Sequence, residues 1–325
     1  MSINFYNPIS ANSRIQKSHH TDNVGSPSNS STNNTSQTTQ ADNSSNTMRP
    51  AVKNTTILAR PSRPKSHHTD NVGSPSNLPV NFIDHNELLN TVSDIKDLDF
   101  DTLEISGTTN ENLKITGANE KQTQAIKKIF KKIPGLINTI GRQQLGHSYT
   151  VDKHILAVTK SVYNDPDFKT LDNHDKKLLL TAALMHDIQK KAGGRDFFHP
   201  QKGAAFAYQA LNYLPEFTED DRTTISYLIY NHHFNQYIDY SASANEIAKL
   251  CAKEKDPNKF LTMLKILGKA DLNGNPQILQ NHPNFMSKIE GKSIPMLERL
   301  VQNLTQSESK MKSQLSEIPF PFKQK

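Results

Sequence analysis

The chain has 325 residues, a net charge of +6 and 34% hydrophobic side chains, enough for one or two domains. Its one cysteine excludes an intramolecular disulfide and fits a reducing compartment, with the cytoplasm as the expected location. No apolar run approaches the roughly 18 residues of a membrane span, and the first residues lack the apolar stretch of a secretory signal.

Residues 1–78 are dominated by Ser, Thr, Asn, Pro and Gln, with few large apolar side chains. Such a segment cannot bury enough surface to offset its ordering entropy, so a disordered tail is expected. It contains a duplication: KSHHTDNVGSPSN runs from Lys17 to Asn29 and again from Lys65 to Asn77. Two polar copies are too few for a stacked repeat fold. Each copy is a candidate docking motif for a protein partner, and His19-His20 and His67-His68 are candidate weak metal ligands. A duplication within an unconstrained linker is the simpler explanation.

Residues 79–117 read as a small mixed segment. Leu88, Leu89 and Val92 predict a short helix; Leu103–Ile105 and Leu113–Ile115, around Gly107 and Asn110, predict a hairpin. Residues 118–305 read as helices joined by polar loops, giving an all-α bundle. Asn119 opens the first, with Ile126, Ile129, Phe130 and Ile133 at helical spacing before Pro134. Its run Lys127-Lys128-Ile129-Phe130-Lys131-Lys132 would suit nucleic acid or an acidic membrane, but a solvated helix face accounts for it.

His147, Val151, His154, Ile155, Val158 and Val162 recur at helical intervals, which places both histidines on one apolar face. Leu179, Leu180, Ala183, Leu184 and Asp187 form a second inward stripe, with His186 one step round. Thr218 followed by Glu219, Asp220 and Asp221 predicts a capped helix start; Ile225, Leu228, Ile229 and His232 share its apolar face, which favours His232 over His233. Leu264, Leu267 and Asp271 make the last stripe. The helix predicted at Ile294, Leu297, Leu300, Val301 and Leu304 packs on the bundle, and residues 306–325 are expected to be a polar tail.

A histidine on an apolar face is by itself an ordinary hydrogen-bonded core residue. An inward carboxylate needs more explanation, because burying it unpaired is costly. Two of them, Asp187 and Asp271, converge with several histidines and no obvious lysine partner, and a divalent cation neutralises that set most simply. One or two ions are expected, of Mn, Fe, Mg or Zn.

The strings H-SYTVDK-H from His147 to His154, AALMHDIQK ending at Lys190, Gly193-Gly194, His199 with Gly203-Ala204, Asn231-His232 and Ala270-Asp271 span about 130 residues. In that order they resemble the HD superfamily of metal-dependent phosphohydrolases, and most closely the HD domain of bacterial uridylyl-removing nitrogen-sensor enzymes. The resemblance implies His154, His186, Asp187 and Asp271 as ligands of a first metal. It implies His199 and His232, with His233 and His147 as further candidates, for a second. Lys190 occupies the place of a phosphate-facing lysine. The nucleotidyltransferase motif of those sensors, a Gly-Ser pair with paired Asp, does not occur in residues 80–140. About 50 residues follow Asn275, too few for their regulatory domains. Gln189 stands where a small residue usually follows HDI.

The activity this implies is hydrolysis of a phosphoester, by a phosphodiesterase or phosphatase, through a metal-activated water. The substrate would be anionic and nucleotide-containing: a nucleotide, a cyclic nucleotide or dinucleotide, or a nucleotidylated protein. Lys190, with Arg195 or Lys202, would face the phosphate, and His199 or His232 would relay a proton if not a ligand. Two rivals stand beside this reading: a non-catalytic module binding a nucleotide or protein, and a di-iron HD oxygenase. The long polar ends also fit delivery into another cell by specialised secretion.

Overall fold

The structure, a computed structural model, describes residues 82–144, 147–194, 196–234 and 241–317. The expected tail of residues 1–78, its duplicated motif and Arg195 lie outside the described residues. Those that are described form a helical bundle with one two-stranded hairpin.

The first helix, α1 (His85–Asp94), starts where the Asp84 carboxylate accepts from the backbone N–H groups of Asn86 and Glu87. Its buried Leu88 and Val92 are the residues that predicted it. The hairpin pairs β1 (Glu104–Ser106) with β2 (Lys114–Thr116), Ile105 opposite Ile115, as the alternation suggested. Helix α1 packs on α2 (Glu120–Lys132), α3 (Val151–Asn164) and α4 (Asn173–Met185), so the mixed segment shares the core of the bundle. Asn119 caps α2 in a reciprocal capping box with Gln122. The five lysines of this helix are exposed or, at Lys132, partly so, as a solvated face requires.

At the centre lies α4. Residues Leu178 to Met185 are all buried, so this part of the helix is enclosed on every side and carries no polar stripe. Around it stand α3, α6 (Glu219–Asn231), α8 (Pro257–Asn273) and α1. Helix α5 (His199–Leu211) lies along α6. Thr218 and Asp221 close the expected capping box at the start of α6. Helix α7 (Ser241–Lys253) packs chiefly on α11 (Ile294–Glu317), which follows two short helices, α9 (Pro276–Asn281) and α10 (Phe285–Lys288). The first residues of the expected polar tail continue α11, and residues 305–310 are exposed on it. No Gly or Pro interrupts the chain between Pro295 and Pro319, and the helix runs on to Glu317. No helix among the described residues is long and apolar enough to cross a membrane.

Candidate metal centre

The end of α4 delivers the first two groups. His186 is its C-cap, Asp187 follows in the ensuing turn, and both are completely buried. His154 arrives from α3, His199 from the first position of α5, His232 as the C-cap of α6 and Asp271 from the last turn of α8. Every one of these four histidines is at most 4% exposed.

Three of them use one local device. The Nδ1–H of His186 donates to the Ala183 carbonyl at 2.7 Å, that of His232 to the Ile229 carbonyl at 2.6 Å, and that of His199 to the Asp196 carbonyl. Each partner lies three residues back. His154 donates instead across the fold, to the Gly274 carbonyl at 3.0 Å. A carbonyl only accepts, so Nδ1 carries the proton and the neutral ring presents a lone pair at Nε2.

Those lone pairs face one another. His154 Nε2 stands 3.4 Å from His186 Nε2 and 3.1 Å from Asp271 Oδ1. Asp187 spans two groups of donors: Oδ2 is 3.5 Å from His154 and 3.6 Å from His186, while Oδ1 is 3.1 Å from His199 and 3.8 Å from His232. The His199 contact is short but misaligned, so Asp187 Oδ1, His199 Nε2 and His232 Nε2 are buried without a hydrogen-bond partner. Donors lacking hydrogens, aimed at common points in a closed interior, suit a cation bound through N and O.

His154, His186 and Asp271 make one compact set, His186, Asp187 and His232 a second, and His199, His232 and His233 a third. His233 belongs here contrary to the helical-face argument. Helix α6 ends at Asn231, so both following histidines are free of its periodicity, and His233 Nε2 lies 3.6 Å from Asp271 Oδ2. His147 is not brought into any set. It precedes α3 rather than continuing its face, and its Nδ1 accepts from the Asn275 side-chain amide at 2.9 Å.

Lys190 requires a second correction. It is a lysine partner for an inward carboxylate: the residue is 4% exposed and its ammonium sits 2.7 Å from Asp187 Oδ2. Part of the buried charge is thus already answered, and the case for a cation rests on the facing lone pairs. Lys202 pairs with Asp196 at 3.3 Å.

Burial opposes charge on Asp187, but Lys190, His186 and His199 outweigh it and hold the carboxyl well below its usual range. For Asp271, too, burial opposes charge, but the imidazoles of His154, His186, His233 and His232 around it outweigh burial and hold it well below that range. Burial pushes His232 down to about 3 and, with Lys190 nearby, His147 down to about 4. His186 moves up: the Asp187 and Asp271 charges override its burial.

Comparison with known families bears on this segment. The HD domain matches residues 145–271, from just before His147 through Asp271. Residues 145–271 form an HD domain. Two bifunctional uridylyltransferase/uridylyl-removing enzymes, from Aliivibrio fischeri strains MJ11 and ES114, are each 34% identical to the chain over 89 residues, which is 23% of this chain. The chain spans about a tenth of the length of these curated relatives, 10% in each case. No solved structure gives a significant match. The matched residues include the histidine and aspartate pair at the end of α4. Gly274 and Asn275, which orient His154 and His147, fall just outside it. Nothing in residue type marks them, because Gly274 acts through its carbonyl.

Proposed function

We propose that this HD domain hydrolyses a nucleotide-containing phosphoester with a metal-activated water. One observation carries the reading: the Nε2 atoms of His154, His186, His199 and His232 and the carboxylates of Asp187 and Asp271 converge in a closed interior, where Asp187 Oδ1, His199 Nε2 and His232 Nε2 have no hydrogen-bond partner. His154, His186, Asp187 and Asp271 would hold one divalent cation, and His199, His232 and His233, with Asp187 between the two, a second. When bound, such cations activate water near neutral pH and offset charge on phosphoryl oxygens.

The protein's own groups prepare the rest. Fixed Nδ1–H bonds set each ring before any ligand arrives, so little reorganisation is left for binding. Lys190 supplies a buried positive charge beside Asp187, which an incoming phosphoryl oxygen would share. A histidine whose Nε2 holds a cation cannot also relay a proton, so that task falls to water or to whichever of His199 and His232 stays unligated. The relatives' name records removal of a uridylyl group, a nucleotide, and this supports a substrate of that class.

The test is a screen of the full chain loaded with manganese, iron or zinc against a nucleoside monophosphate, a cyclic nucleotide and a nucleotidylated protein. Release of phosphate or nucleotide is expected from the parent and not from His186→Ala, Asp187→Ala. A metal-loaded parent inert towards all three would replace hydrolysis with a binding role.

A further inference from the structure

Resting on the metal-centre reading, we propose that Arg142 and Gln144 are positioning residues: a strap that sets the turn carrying His186, Asp187 and Lys190. The turn after α4 leaves several carbonyls without helical partners. Arg142 Nη1 donates to two of them, Ile188 at 3.2 Å and Lys190 at 3.1 Å. Gln144 Nε2 donates to a third, Lys191, at 2.6 Å. Between them, the Gln143 carbonyl accepts from Gly193 N at 2.8 Å, so four residues of the turn are tied to three of the strap.

The other side of the strap holds α3. The Arg142 carbonyl accepts from Val151 N at 2.8 Å, and Gly141 N donates to Asp152 Oδ1 at 3.2 Å. Val151 and Asp152 form the first turn of the helix that brings His154. One short segment therefore fixes the distance between two ligand-bearing elements that are 32 residues apart in the chain. The guanidinium suits the place: it is half-buried, its charge answers the negative end of α4 and one nitrogen serves two converging carbonyls. The hydrogen bonds of both side chains go to backbone carbonyls of the turn, so both act through the turn.

The test uses cobalt(II) as probe on the full chain, with affinity and coordination geometry read from its visible absorbance. His186→Ala, Asp187→Ala serves as the blank for binding elsewhere. Arg142→Met should weaken cobalt binding about 10-fold, the lower end of what groups supporting metal ligands contribute. It should also alter the absorbance band, and Arg142→Lys should recover part of both. Gln144→Ala, which leaves Arg142 in place, should weaken binding less, and it carries the test if Arg142→Met does not fold. Unchanged affinity and spectrum in a folded variant, with only a lower Tm, would overturn the strap as a positioning device. A parent that binds no more cobalt than the blank would overturn the metal centre itself, a distinct result.

Discussion

His147, His232 and His233 are kept neutral chiefly by burial, whereas His186 is pushed towards protonation by two carboxylates. The opposite directions predict a pH profile. A depressed histidine binds protons better once unfolded, so its stabilisation is present above 6.5 and is lost as pH falls towards about 4 for His147 and about 3 for His232. His186 has the reverse sign: its stabilisation is complete below 6.5 and is lost as pH rises through its raised value. The cation-free protein is therefore expected to be most stable near pH 6.5, with Tm falling on either side. Added zinc or manganese, which takes the place of the His186 proton, should raise Tm most on the alkaline side. Thermal melts from pH 5 to 9, with and without metal, check this; a cation-free Tm that climbs steadily across the range would contradict it.

Individual elements show where periodicity informs and where it stops. Spacing of Leu88, Val92, Ile126, Ile129 and Phe130 located α1 and α2 because those helices bury one face and expose the other. On α4 the same argument picked out residues that are indeed buried, but it missed that Leu178 to Met185 are buried on every side, so there the stripe carries no directional information. It also carried α3 too far, to His147, and set His232 above His233 where the helix had already ended. Tight approaches were invisible for a different reason. A Cβ on Gly274 would lie 2.6 Å from Val158 Cγ2 and 3.2 Å from His154 Nδ1, and the residue's own carbonyl holds that ring. Gly274→Ala should therefore push His154 and α3 away, costing about 1–3 kcal/mol of stability and about 10-fold in metal affinity. Melts and a metal titration read the two effects separately; a variant matching the parent in both would show that the contact relaxes freely.

At the scale of the molecule, five helices and the turn after one of them meet at a single point, with His154 and Asp271 117 residues apart in sequence. No local pattern encodes a convergence of that length. What made it legible was the scarcity of reasons to bury Asp187 and Asp271, together with the order of histidines and aspartates along the chain. Lys190 escaped that argument because its role as a partner depends on the turn after α4, not on helical spacing. The central claim is that this convergence is a metal centre, and metal content tests it most directly. Full-length parent and His186→Ala, Asp187→Ala would be reconstituted with manganese, iron or zinc, desalted and assayed for bound metal. At least one ion per parent chain beyond that in the double variant is the predicted result; equal metal in the two proteins would contradict it.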